Sequence, residues 1–189
     1  RPSVWLALGN LAKESNLLGT VALLANRLGR SSWRGGARAM LIASLPLLGW
    51  SAYVYHRFGH PASSSGLGNF NWPMIGVLTE VNKSVHELAA GNFDGRYGFG
   101  LLAVMGFVVQ SAVIWRQRDF QAPWWRIGAA YSLLLPFLSI WVWSGYWAVC
   151  RAVLPLTFAF NLLLPSNRRF WPLWLLGNIT MLHAIWRFL

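Results

Sequence analysis

The sequence predicts an all-α fold, a polytopic bundle of about six transmembrane helices with one external amphipathic helix. The first observation is composition. The 189 residues are 56% hydrophobic, 15% aromatic and only 11% charged, with a mean hydropathy of +0.42. That is more apolar surface than a water-soluble domain can hide. The second is pattern, because several apolar runs approach the roughly 20 residues that a helix needs to cross a hydrocarbon core. The third is charge. Sixteen basic residues give a net +11, yet they fall in short clusters between the apolar runs, as in polytopic membrane proteins and unlike the basic face of a nucleic-acid binder. The expected partner is membrane lipid, and nucleic acid is set aside. A single cysteine, Cys150, excludes an intrachain disulfide, and no Cys/His cluster has metal-ligand spacing. Neither metal nor cofactor is expected.

The spans follow in order. Val4 to Ala25 is long enough but carries Lys13-Glu14-Ser15-Asn16 at its centre, so it is either one helix with a polar kink or two half-helices meeting at a turn. Ala39 to Tyr55, Gly98 to Trp115, Ile127 to Trp143, Ala148 to Leu164 and Pro172 to Phe188 are apolar runs nearly free of formal charge. Their two embedded cations are Arg151, near a helix end, and Arg187, in a last turn from which it can snorkel. Three connecting segments hold the basic excess: Arg27, Arg30, Arg34 and Arg38; then Arg116, Arg118 and Arg126; then Arg168 and Arg169. Short cytoplasmic loops collect Lys and Arg, which places these three inside, and residues 56–97 and 144–149 outside. Trp124, Trp125, Trp143, Tyr146, Trp147, Phe170 and Trp171 fall at span ends, the headgroup level favoured by amphipathic rings. Fourteen Arg against two Lys suits a GC-rich bacterial genome, and so a bacterial inner membrane with 56–97 on the periplasmic side. The start at Arg1 and the absence of a signal peptide in Arg1 to Asn10 read as a single membrane domain over 1–189, cut from a longer protein.

The external segment 56–97 opens with a Gly/Pro/Ser-rich loop and continues into a helix over about 73–90. Pro73 suits its first turn, and Met74, Leu78, Val81, Val85 and Leu88 form an apolar stripe, with Glu80, Lys83, Ser84 and Glu87 on the other faces. Gly91-Asn92 supplies a stop. The helix is expected to lie on the outer membrane surface or over the bundle. Glu80, His86 and Asp94 are the external candidates for acid/base work. The competing reading of Glu80, Lys83 and Glu87 is a solvated charged face at helical spacing. No nucleophile elbow, phosphate-binding glycine loop or zinc-binding helix occurs. Arg151 is a candidate phosphate ligand through paired hydrogen bonds, or else an interface anchor. Lys13 and Glu14 are ionisable groups in an apolar span that need partners, and the bland reading is a mutually neutralising polar cap at a helix break.

Several short stretches together carry a resemblance. Leu11-Ala12-Lys13-Glu14-Ser15-Asn16-Leu17-Leu18, Leu45-Pro46-Leu47-Leu48-Gly49-Trp50, Tyr55-His56-Arg57-Phe58-Gly59, Gly68-Asn69-Phe70-Asn71-Trp72-Pro73 and Cys150-Arg151-Ala152-Val153-Leu154-Pro155 resemble the C-terminal portion of bacterial GT-C-like membrane glycosyltransferases linked to cell-surface polysaccharide formation. The resemblance implies transfer of a sugar from a polyprenyl-phosphate donor to a periplasmic glycan, with the catalytic carboxylate outside this portion. It implies Arg151 as a donor-phosphate contact and Lys13 with Glu14 as cavity-facing groups. The alternative from the residues alone is a non-catalytic carrier subunit or transporter fragment that handles lipid-linked sugars.

Overall fold

The computed structural model describes residues 18–20, 30–59 and 67–181. Every regular element among them is helical. They are α1 (Arg30–Phe58), α2 (Ile75–Ala89), α3 (Gly95–Gln117), α4 (Pro123–Leu134), α5 (Ile140–Trp143), α6 (Tyr146–Leu163) and α7 (Trp171–Gly177), with short 3-10 turns between some of them. Among the described residues two helices, over Arg34–Phe58 and Gly95–Gln117, are long and apolar enough to cross a membrane, and Trp147–Leu163 is a shorter apolar helix. The expected span Val4 to Ala25 lies outside the described residues except for 18–20, and Pro172 to Phe188 is described only as far as 181.

The central helix is α3. Asp94 caps it by accepting the Arg96 backbone N–H at 2.9 Å, and it ends where Arg118 turns left-handed at φ 46. Phe99, Ala103, Phe107 and Ile114 recur along one side and are buried in the core, where α3 packs against α2, α4 and α6. From α6 come Val149, Val153, Leu156 and Phe160, whose steps of four and three make a seam on a single face. Small residues set the close approaches. A Cβ on Gly128 of α4 would lie 2.8 Å from Ile114 Cδ1 and 3.0 Å from Ala159 Cβ, and one on Gly177 would lie 2.5 Å from the Phe160 ring. Gln117 Nε2 donates to Leu163 O at 2.8 Å. This bond joins the C-terminal ends of α3 and α6, so Arg116, Arg118, Arg126, Arg168 and Arg169 share one end of the bundle. The other end carries α2.

The expected continuous helix Ile127 to Trp143 is broken. Pro136 has no N–H to continue the helical ladder, and the chain passes from α4 through a 3-10 turn, Leu135–Phe137, and an extended Leu138-Ser139 into the single turn of α5. The freed groups are taken up by the segment before α2. Asn71 N donates to Phe137 O at 2.8 Å, Met74 N to Pro136 O at 2.7 Å and Ser139 N to Asn69 O at 2.7 Å. A broken helix inside a bundle needs that kind of compensation.

The same contact corrects the external helix. It begins at Ile75 rather than at Pro73, because Met74 is held left-handed at φ 67 by its bond across the break. Its facing is also rotated from the expected one. The buried residues are Gly76, Val77, Glu80 and Ser84, whereas Leu78 is 61% and Val85 52% exposed. Gly76 explains the rotation: a Cβ there would overlap Leu138 O and approach Ser139 C to 2.8 Å. Only a glycine lets α2 seat this closely on the break, and that seating turns the apolar stripe outward.

Outward apolar faces recur elsewhere. Leu41, Ile42, Leu45 and Leu48 on α1, Val108 on α3, Leu133 on α4, and Leu154, Phe158 and Leu162 on α6 are all exposed. Exposed rings include Phe70, Trp72, Phe93, Trp141 and Trp147 at the α2 end and Trp115, Phe120, Trp124, Trp171 and Trp174 at the arginine end, with others along α1 (Trp50, Tyr53, Tyr55) and Phe158 within α6.

Candidate functional site

The most unusual group in the bundle is Glu80. The solvated charged face expected for it is incorrect: its side chain points into the α2–α3 contact and is only 3% exposed. Two features of the sequence bring it there. Glu80 lies one turn beyond Gly76, the helix's closest approach to the break, and it faces Gly100, where a Cβ would collide with the carboxyl group. Ser84, one turn further on, donates its hydroxyl to Glu80 Oε1 at 3.2 Å. The second oxygen, Oε2, has no hydrogen-bond partner, and on the same side of the bundle Ser139 Oγ and Trp143 Nε1 are buried and equally unpartnered.

Burial raises the Glu80 carboxyl above its ordinary value, with the Ser84 hydrogen bond and the nearby Lys83 charge pulling weakly the other way. The group therefore tends toward the neutral acid. No surface-bound acceptor reaches it without movement of α2, so general-base chemistry on an external substrate is not available in this arrangement.

The other carboxylates of this end have structural tasks. Asp94 caps α3 and pairs with Arg96 at 2.7 Å. Glu87 Oε2 accepts from Asn92 Nδ2 at 3.0 Å. His86 is exposed on the outer side of α2, and Lys83 Nζ sits 5.9 Å from the centre of the Tyr97 ring. Glu80, His86 and Asp94 thus do not form one constellation. Arg151 is exposed near the start of α6, where its Nε donates to Trp147 O at 3.2 Å. Among the described residues no carboxylate pairs with it. Lys13 and Glu14 lie outside the described residues.

A second polar group was not anticipated. Gln110 in α3 donates to Thr157 Oγ1 at 2.9 Å and to Gly177 O at 2.6 Å, tying α3 to α6 and α7. Beyond it, Asn161 and Asn178 exchange amide hydrogen bonds at 2.8 and 2.9 Å. The signal was available as uncharged amides inside otherwise apolar spans, which in lipid must find partners on neighbouring helices. Such bonds, together with glycine contacts, hold a bundle whose outer surface is apolar. The described residues contain no group of three or more His, Cys, Asp or Glu able to hold a metal ion. Compared with known proteins, the chain matches no protein-family model, no curated protein and no solved structure.

Proposed function

We propose that the chain is an integral membrane protein of a bacterial inner membrane, crossing it about six times with α2 on the periplasmic side. The observation that carries this reading is the reversed distribution of polarity. Amides and a carboxyl group join the apolar interior, many aliphatic side chains face outward, and exposed rings are frequent near both ends. Lipid, unlike water, favours that arrangement. The arginine-rich end then faces the cytoplasm. Within this frame the protein is part of a GT-C-like glycosyltransferase that moves a sugar from a polyprenyl-phosphate donor to a cell-surface glycan. Arg151 supports the reading as an exposed, carboxylate-free guanidinium at the outer end, suited to a lipid-linked phosphate.

A second reading, a carrier of lipid-linked sugars without chemistry of its own, is favoured by the burial of Glu80, which takes one of the described carboxylates of the α2 end out of reach of an external substrate. One experiment separates the two. Membranes containing the full-length gene product are supplied with radiolabelled polyprenyl-phosphate sugar. Transfer to glycan that falls roughly tenfold or more in Arg151→Ala, the loss of one charge-assisted contact, supports the enzyme. Donor binding without transfer across a broad donor panel supports the carrier.

A further inference from the structure

At the arginine end, the turn from α6 into α7 encloses an open pocket of about 460 Å3. Its walls include Asn161, Ser166, Asn167, Phe170, Trp171 and Trp174. The polar wall is fixed in place. Asn161 is locked by its exchange with Asn178, and Asn167 Oδ1 caps the following turn by accepting Arg169 N at 3.2 Å, which leaves the Asn167 amide N–H2 free to donate. Arg168 and Arg169 stand between the lining residues Asn167 and Phe170, both exposed and without a carboxylate partner among the described residues. The described acid of this end, Asp119, accepts the backbone N–H groups of Gln121 and Ala122 with Oδ1 and lies near Arg126. The opposite wall is aromatic and runs on into exposed Leu175 and Leu176 along α7.

We infer that this pocket binds an anionic glycerophospholipid, its phosphate on Arg168, Arg169 and Asn167 and an acyl chain along Trp174 and Leu175. The inference rests on the membrane part of the proposed function and is independent of sugar transfer. A guanidinium pair with an amide donor recognises a phosphodiester by charge-assisted hydrogen bonds. Cytoplasmic-side basic pockets between helices meet anionic headgroups at this depth. The continuous apolar wall distinguishes a lipid from a free phosphate.

The test uses the full-length protein reconstituted into phosphatidylcholine vesicles doped with a small fraction of lipid brominated on its acyl chains, either phosphatidylglycerol or phosphatidylcholine. With 13 tryptophans in the chain, the signal is the part of the fluorescence removed by Trp171→Phe/Trp174→Phe. About tenfold tighter quenching by brominated phosphatidylglycerol, abolished by Arg168→Gln/Arg169→Gln at unchanged thermal midpoint, is expected. Equal quenching by both lipids overturns the site. Loss of the preference in millimolar inorganic phosphate overturns the lipid assignment in favour of a free anion. A protein that alkaline extraction releases from the vesicles overturns the membrane reading itself, an outcome distinct from an incorporated protein without lipid preference.

Discussion

A carboxyl group held with one oxygen unpartnered inside a helix contact makes stability depend on pH, and the sign follows from the direction of its shift. Glu80 is raised by burial, so the folded state holds its proton more tightly than the unfolded chain does. Its contribution is fully present below the ordinary carboxylate value of 4.5, and is lost as pH rises through the raised folded value. Glu80→Gln keeps the shape and removes the titration. Thermal unfolding in detergent is expected to show wild-type protein losing stability from acidic toward neutral pH, with Glu80→Gln flatter and more stable at pH 8 by roughly 2–4 °C, the scale of about 1 kcal/mol in a chain of this length. A wild-type profile that rises with pH over that range would contradict the neutral buried acid. Arg151 and Asp94 are simpler. The first was legible as a guanidinium near a helix end from its sequence context, and the second proves to be a helix cap. Glu80 was not legible, since a carboxylate among Lys83, Ser84 and Glu87 reads as surface until the glycine that seats the helix is known.

Among the elements, the contact between α2 and the break after α4 decides the architecture of the α2 end. Three backbone hydrogen bonds replace the ladder that Pro136 interrupts, and Gly76 permits the approach. Gly76→Ala is expected to destabilise the protein by about 1–3 kcal/mol, because its Cβ would meet backbone at Leu138 and Ser139, which cannot rotate away as a side chain could. Gly98→Ala serves as the control, since a Cβ there meets nothing within 4 Å, and alanine is the better helix former. Denaturation midpoints of the two variants check the pair, and equal effects would show that α2 does not depend on the close approach. The existence of α2, α3 and α6 was legible from apolar periodicity and run length. The break was not, because Leu134-Leu135-Pro136-Phe137-Leu138 is as hydrophobic as its surroundings, and the bonds that compensate the proline come from residues more than sixty positions away. The facing of α2 failed for a related reason. An apolar stripe says that a face avoids water, and it does not by itself say whether that face packs on the bundle or on something outside it; the close approach at Gly76 decides the matter.

For the whole molecule, charge and rings together underlie the proposed orientation of the two ends. Five arginines and one aspartate meet at the end that joins α3, α4, α6 and α7, while the α2 end mixes Lys83, Arg96 and Arg151 with Glu80, Glu87 and Asp94. Basic excess marks the cytoplasmic side of short loops, so the proposed topology predicts the turn at Asn92 on the periplasmic side and the turn at Ser166 on the cytoplasmic side. Both turns are exposed, and the chain's single cysteine, Cys150, is removed by Cys150→Ser to give a silent background. On that background, Asn92→Cys is expected to react with a membrane-impermeant maleimide in intact cells. Ser166→Cys is expected to react only after the cells are opened. Asn92→Cys gives up one surface hydrogen bond, to Glu87, and Ser166→Cys gives up none of the described ones, so both proteins should accumulate normally. The reverse labelling would turn the protein over, and with it the side on which Arg151 and the anionic-lipid pocket work. Labelling of both positions in intact cells would mean that no lipid barrier separates the two ends, and the outward apolar surface would then have to be covered by other protein.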